Sequence, residues 1–554
     1  MITPHSRRGR AATHKPIAMR SVLSVAIASS IWLVGCGDDN DFDNDVDIVS
    51  SATAEFVNSF SASQVDSSFG LDSTATPAAK CGVTIEKVSY DTKGAANEDT
   101  NATAALMLPT GDAPECQGAR PLLLYAHGTT TDKSYDFAQV GNIQNPAVSE
   151  ANLIAANFAA QGYIVVAPNY AGYDDSTLDY HPYLVAQQQS TDMVDALDSA
   201  RDIMARQKRA NAVNYRDIAD SGKLFIAGYS QGGYVTMATA RLLQSQEKPV
   251  TAIAPSSGPY ALAAFGDEIF RGNVNIGASR FAPLLGSGLQ EKYGNIYDKK
   301  SDIFLDKYAN AQLPNALSFG QLVEMGKLPN NALFQKNPSD PRLAGLEQGK
   351  LFSILGGYDE NDYLIKTDFR AAYVADTDKH PDGLWAENGD GLPAAMPENT
   401  LRQALKDNDL RGYVPTMPTL LCGGNQDPTV YFDTNTGSMV TLLQAAAKKS
   451  AKNLNVTVLD VDKDNEESRP DKTTLITIGQ ASMNTWDVND VVDSVQTRFS
   501  NSVQQVKDDA TAQDVNPLLA FYRSYHGSLV SSACTQATRE FFDQDFSASQ
   551  VVPR

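Results

Sequence analysis

Residues 223–233 read KLFIAGYSQGG, an apolar run that ends in a serine bracketed by glycines. It passes directly into YVTMATARLLQ, whose apolar residues recur at helical spacing. A buried strand that turns sharply and enters a helix within three residues needs small neighbours at the turn, and Gly228, Gly232 and Gly233 supply them. The pentapeptide Gly228-Tyr229-Ser230-Gln231-Gly232 has the G-x-S-x-G form of a nucleophile elbow. Such a turn lifts Ser230 above the strand's C-terminal end and beside a helix N-terminus, where exposed amides favour developing negative charge.

The surrounding pattern fits a layered α/β protein. Runs predicted as buried strands are Ala104–Leu108, Pro121–Ala126, Tyr163–Ala167, Lys223–Ala227, Thr251–Ala254, Thr419–Cys422 and Asn455–Leu459. Helical stretches are predicted at 149–161, 190–207, 231–246 and 438–451. Strands alternating with helices imply a mostly parallel sheet covered on both faces. PLLLYA, YIVVA and KLFIAG are apolar almost throughout, as strands buried on both sides are. The alternation stops after Pro259 and resumes at TLLCGG, so residues 265–410 read as an inserted cap. A second irregular stretch, 463–520, is acidic and rich in Asn and Asp. No repeat of 20–50 residues is visible.

Composition bounds the function. With 554 residues, 42% hydrophobic and 20% charged, the chain is long enough for one large domain with insertions, or two to three ordinary ones. Its apolar content excludes a disordered chain. Lys and Arg number 45 and Asp and Glu 66, a net charge of −21, which repels phosphate backbones and argues against nucleic-acid binding. Residues 1–35 carry five basic residues and no acid, so a chain without them would stand at −21 − 5 = −26.

The N-terminal segment reads as an address. SVLSVAIASSIWLVG at 21–35 follows Met19-Arg20, with Met19 an alternative start. It is too short for a membrane span and has the form of a secretory signal. Leu33-Val34-Gly35-Cys36 resembles the bacterial lipobox, which implies lipidation of Cys36 and a signal at 1–35. Six Asp in residues 38–47 make a self-repelling stretch, and 36–79 is read as an acidic tether. Gly37, where an Asp would signal retention, implies by resemblance to lipoprotein sorting an exported protein on the outer membrane of a Gram-negative bacterium. Beyond Cys36 there remain Cys81, Cys116, Cys422 and Cys534, an even number that in an exported chain predicts two disulfides. Three pairings are possible. Cys81–Cys116 is expected because both flank the first predicted strands, and Cys422–Cys534 follows from it.

A serine hydroxyl needs a base. Acid and base are expected to follow the elbow serine in the chain, which leaves His380 and His526. His380 sits in a polar turn of the cap, whereas His526 sits in a C-terminal loop that leads into a helix, and is the expected base. PTLLCGGNQDPTV offers strand, glycine turn and then Asp427 as the orienting acid, with Asp433, Asp460 and Asp462 as alternatives. Oxyanion donors are expected from the N–H of Gln231 and, after PLLLYAHG, the N–H of Thr129. His127 closes a buried strand ahead of Ser230 and is expected to buttress that loop.

Taken together, YAHGTT, GYIVVAPNYAGY, HPYLVAQQQSTDMVDALDSAR, GYSQGG, GGNQDPTV and YHG resemble the α/β-hydrolase superfamily, and within it the secretory-lipase-like esterases. The resemblance covers roughly 80–262 and 410–545, leaving 265–410 unmatched. It implies an α/β-hydrolase fold with core parts at 80–264 and 411–554, and hydrolysis of a small-molecule or lipid carboxylic ester without a cofactor. It assigns Ser230, Asp427 and His526 to nucleophile, acid and base, and Thr129 and Gln231 to the oxyanion. The same triad also serves peptide hydrolysis and acyl transfer, and a non-catalytic surface binding protein is the reading from another class.

Other features are weaker. The loop PNYAGYDDSTLDYHPYL carries Tyr170, Tyr173, Tyr180 and Tyr183, which either line a pocket or pin the loop. Asp174 and Asp175 are expected to anchor it. Asp460, Asp462, Asp464 and Asn465, with Asp471 at position twelve, loosely follow a calcium-loop spacing, but the turn glycine and terminal Glu are missing. Neither CxxC, HxxxH nor HExxH occurs, so no metal site is expected, and there is no phosphate-cradling glycine loop.

Overall fold

The computed structural model describes residues 51–544 apart from 72–75, 347–348, 350–355, 450–453, 465–473 and 480–487. The signal, Cys36, Gly37 and the Asp-rich run therefore lie outside the described residues, as do Asn465 and Asp471 of the calcium-like spacing. Among the described residues no helix is long and apolar enough to cross a membrane.

Strands are numbered in chain order: β1 (Thr53–Phe60), β2 (Gly82–Lys93), β3 (Asp99–Thr110), β4 (Gly118–Ala126), β5 (Ile164–Pro168), β6 (Ile218–Tyr229), β7 (Ala252–Ser256), β8 (Phe334–Gln335), β9 (Tyr358–Asp359), β10 (Thr419–Gly423), β11 (Asn455–Asp460) and β12 (Leu475–Gly479). Among the described residues ten of them form one sheet, ordered β1-β2-β3-β5-β4-β6-β7-β10-β11-β12. The stretch from β5 to β11 is parallel, and β3, β2 and β1 on one side and β12 on the other run antiparallel. The apolar runs of the sequence are these parallel strands: Leu122–Ala126 of β4, Ile164–Ala167 of β5 and Leu224–Ala227 of β6 are all buried. Burial on both faces removes the alternation that marks a half-exposed strand.

Helices cover the sheet, as connections between parallel strands require. Ala186–Arg209 and Gln231–Ser245 pack on each other, the first also against β2 and β5 and the second against β4, β6 and β7. Val148–Asn157 and the C-terminal helix Ser531–Phe542 pack together, and the latter also meets β6, β7 and β10. Because β4, β6, β7 and β10 are parallel neighbours, their C-terminal ends lie side by side, with Ala126 beside Gly228, Tyr229 beside Ser256, and Ser256 beside Cys422. Loops leaving that edge converge, and such an edge is where sheets of this kind bind ligands.

Residues 257–418 stand between β7 and its direct neighbour β10. This stretch holds helices Leu262–Arg271, Ala278–Tyr293, Phe319–Glu324, Thr367–Lys379 and Thr400–Asp407 and the short β8–β9 pair. Buried ion pairs knit it. Arg402 bonds Asp267 at 2.7 Å and Asp376 at 2.7 Å, and Arg411 bonds Asp382 at 2.7 Å and Asp409 at 2.9 Å. Breaking such a pair would leave an uncompensated buried charge.

Three expectations are corrected. The tether assigned to 36–79 does not extend to its end: Thr53–Phe60 is a strand paired antiparallel with β2, and Ala62–Ser68 is a helix capped by Ser61. TAEFVNSF is a mostly exposed edge strand, so its sequence carries little apolar signal. The stretch 463–520 contains β12 and the helix Val488–Ala512, whose Val492, Val495, Gln496 and Phe499 are buried at helical spacing between acidic residues. His526 lies not in a loop but in a π-helical turn, Tyr525–Val530, between helices Pro517–Ser524 and Ser531–Phe542.

The structure pairs Cys81 with Cys116 and Cys422 with Cys534. The second bond joins the end of β10 to the C-terminal helix across 112 residues. Closing a loop of that order restricts the unfolded chain by up to about 4–5 kcal/mol. The double substitution Cys422→Ala with Cys534→Ala is expected to lower the unfolding free energy by up to that amount, read from denaturant melts by circular dichroism, with a steeper slope because the uncross-linked unfolded chain exposes more surface.

Candidate active site

Ser230 follows β6 directly, with φ 61° and ψ −122°, a conformation that costs a non-glycine residue roughly 1–3 kcal/mol. Its N–H donates to the carbonyl of Ser256 on the neighbouring strand end at 3.0 Å, and helix Gln231–Ser245 begins immediately after it. The turn is tight because the helix crosses the sheet edge closely. A Cβ on Gly232 would lie 1.9 Å from the Ala126 carbonyl oxygen, and one on Gly228 would lie 2.4 Å from the Gly232 oxygen. The glycines bracketing the serine are therefore steric requirements.

The three expected side chains meet at this edge. His526 Nε2 is 2.8 Å from Ser230 Oγ, and His526 Nδ1 is 2.6 Å from Asp427 Oδ2. Asp427 follows β10 in a turn closed by its own N–H on the Gly424 carbonyl. Its Oδ1 accepts the amides of Thr429 at 2.9 Å and Val430 at 3.0 Å, which leaves Oδ2 for the imidazole. The alternatives are engaged elsewhere. Asp460 and Asp462 brace the Asp427 loop: Asn425 donates to Asp460 at 2.8 Å, Gln426 Nε2 donates to Asp462 at 2.8 Å, and the Tyr525 hydroxyl donates to Asp462 at 2.7 Å. Since Tyr525 also accepts the Gln426 N–H at 3.0 Å, it ties the Asp427 loop to the turn that carries His526. Asp433 starts the π-helical turn Asp433–Gly437, six residues beyond the acid. His380 caps helix Thr367–Lys379, 3.6 Å from Glu398.

The loop after β4 is built from below. Glu150 accepts the Gly128 N–H at 3.0 Å and the hydroxyls of Tyr125 at 2.9 Å and Tyr135 at 3.0 Å. His127 is wholly buried, with ring nitrogens facing the carbonyls of Gly128 and Asn169 and its ring stacked on Tyr170 at 4.2 Å. The tyrosines of the next loop pin this one: Tyr170 donates to the His127 carbonyl at 3.1 Å, Tyr173 to the Thr130 carbonyl at 2.7 Å, and the Tyr183 hydroxyl meets Thr129 Oγ1 at 2.9 Å. Tyr180 lies further off, accepting the Ala95 N–H at 2.9 Å. Asp174 anchors the same loop, accepting from Thr103 at 2.6 Å and pairing with Lys87 at 2.6 Å.

Two spaces open on Ser230. One is a wide cleft of about 1220 Å³ that also reaches Thr129, Glu150, Arg280, Arg523 and His526. The other is a narrow pocket of about 100 Å³ walled mainly by the insertion, with Leu262, Phe265, Ile269, Phe281, Leu285 and Leu405. Thr129 lines the first and Gln231 the second. Among the described residues one group of metal-ligand type assembles, Asp376, His380 and Glu398, and it lies within the insertion. Arg402 already pairs with Asp376 and Lys379 with Glu398, so the charge a cation would balance is balanced.

Sequence reading missed the supports: Glu150, Tyr229, and His181 beneath the elbow. The buried His181 donates through Nδ1 to the Ala171 carbonyl at 2.9 Å and accepts the side-chain amide of Gln231 on Nε2 at 2.8 Å. Burial pushes this imidazole down to about 3, so it stays neutral. The unfolded chain binds its proton from about pH 6.5 and the folded chain only near 3, so this contribution to stability is complete above 6.5 and is lost as pH falls toward 3. The difference is on the order of 5 kcal/mol at most. Denaturant titrations from pH 7 to 3.5 are expected to show stability falling with acid, and His181→Gln is expected to flatten that slope.

The profile of the alpha/beta hydrolase family matches residues 123–473. The rice cell wall degrading esterase LipA of Xanthomonas oryzae is 25% identical, with a TM-score of 0.57, covering 74% of this chain and 91% of that one. A Legionella pneumophila protein is 19% identical over 72% of this chain and 88% of its own, with a TM-score of 0.49. Candida antarctica lipase A is 12% identical over 73% and 76%, with a TM-score of 0.40. The last two likenesses carry no functional weight. A comparison with curated protein sequences finds no match. The expected fold class holds, and the chain belongs to the alpha/beta hydrolase family.

Proposed function

We propose that this hydrolase cleaves carboxylic esters through an acyl-enzyme on Ser230. The observation that carries the reading is one imidazole, that of His526, 2.8 Å from a strained serine hydroxyl and 2.6 Å from a carboxylate. His526 Nε2 takes the Ser230 proton as Oγ attacks the ester carbonyl, while Asp427 holds Nδ1–H and balances the imidazolium. The amides of Thr129 and Gln231 receive the oxyanion. His526 returns the proton to the departing alkoxide, and the alcohol leaves. Water then attacks the acyl-enzyme with the same base, releasing the acid and restoring Ser230.

The two spaces beside Ser230 support the assignment of substrate halves. An acyl chain suits the narrow apolar pocket, and a larger polar alcohol suits the wide cleft. In this reading residues 265–410 act as a cap that selects the acyl part. The esterase named for LipA supports ester rather than peptide chemistry.

The proposal includes an exported enzyme held on the outer membrane by lipid on Cys36, which rests on the sequence Leu33-Val34-Gly35-Cys36 with Gly37. Labelling cells with a radioactive fatty acid is expected to mark the protein, and Cys36→Ser is expected to abolish the mark. An unlabelled wild-type chain overturns the anchor and leaves the chemistry standing.

A fluorophosphonate is expected to add to Ser230, located by peptide mass. Ser230→Ala is expected to lower turnover of p-nitrophenyl esters by about four to six orders of magnitude with an unchanged melting temperature. Efficient turnover of aminoacyl anilides with no turnover of esters would replace the ester reading by a peptidase.

A further inference from the structure

The residue immediately before the nucleophile does more than end a strand. The Tyr229 hydroxyl donates to the backbone carbonyl of His526 at 2.6 Å, and the same oxygen lies 3.4 Å from His526 Nδ1. The two rings are tilted by 41° to each other, with 5.0 Å between centroids. Tyr229 is buried, and burial raises its phenol, so the hydroxyl keeps its proton. The carbonyl it reaches belongs to the π-helical turn Tyr525–Val530. Such turns widen the helix and occur often at functional sites.

We infer that Tyr229 is a positioning residue that ties the base to the nucleophile's own chain and fixes the tautomer of His526. A phenol has one proton to give. Here it is given to the carbonyl, at the shorter distance. The oxygen facing Nδ1 then offers lone pairs only. Asp427 Oδ2, the other atom at Nδ1, is likewise an acceptor. With acceptors on both sides, Nδ1 carries the hydrogen, and Nε2 presents its lone pair to Ser230 Oγ at 2.8 Å. That is the protonation state a general base needs. The 3.4 Å approach is a long secondary contact, so the larger effect lies in the 2.6 Å tether. Because Tyr229 and Ser230 are consecutive, this bond resists any drift of the turn 525–530 away from the elbow. Asp427 cannot supply the same restraint, since it holds the ring and not the backbone that carries it.

The inference rests on the ester-hydrolase reading. Tyr229→Phe keeps the ring and removes one oxygen. Sites are counted by burst titration with a fluorophosphonate, so that loss of folded protein does not count as loss of rate. The expected result is a kcat per titrated site about tenfold lower or more, with KM within about twofold of wild type. The far-downfield proton resonance of the His526 Nδ1–H is expected to shift or broaden. Unchanged kcat per titrated site, with the resonance in place, overturns the inference and leaves the ester reading intact. A wild-type chain that neither hydrolyses esters nor takes the label overturns both.

Discussion

The contact on which the arrangement depends is the pair of bonds made by one imidazole, Nε2 to Ser230 and Nδ1 to Asp427. Hydrogen bonds tolerate a few tenths of an ångström, so three segments spread over nearly 300 residues of chain must be held to that precision. A parallel sheet makes this possible. The elbow, the acid's loop and the loop carrying Thr129 all leave from C-terminal strand ends that stand side by side. His526 arrives from outside the sheet and is braced by three separate devices: the Cys422–Cys534 bond, the Tyr525–Asp462–Gln426 contacts, and the Tyr229 hydroxyl.

Buried polar groups bear much of this load. Glu150 accepts three donors beneath the loop after β4, and Asp192 accepts the Tyr90 hydroxyl and the Ala171 amide. A buried acceptor left empty would cost about 1–3 kcal/mol, so each satisfied group specifies the loop it holds. The tyrosines of the 170–183 loop serve this purpose, settling a choice that residue types left open. Tyr170, Tyr173 and Tyr183 hold the neighbouring loop, and Tyr183 also borders the apolar pocket.

Legibility in the sequence followed burial. Leu122–Ala126, Ile164–Ala167 and Leu224–Ala227 were readable because strands covered on both faces are apolar throughout. The edge strand Thr53–Phe60 was not, because exposure removes the hydrophobic requirement. Helix Val488–Ala512 was hidden by its acidic face, although Val492, Val495 and Phe499 carry its register. The meeting of Ser230, Asp427 and His526 was legible as an expectation because a tight turn, a scarce residue type and chain order each narrowed the choice: the chain has six histidines, and two follow Ser230. The supports were not legible, since nothing local distinguishes Glu150 or His181 from any other buried polar residue.

The chain's own order of residues determined the parallel sheet, the glycine-lined turn at Ser230 and the short list of partners for it, because periodicity, steric room and residue chemistry act over a few neighbours. Tertiary structure alone decided which carboxylate and which histidine meet at that serine and that His526 rides on a π-helical turn. It also decided that 257–418 walls most of a narrow apolar pocket beside Ser230, where a wide cleft also opens. Those outcomes depend on distances between segments far apart in the chain, and such distances are set only when the whole core packs.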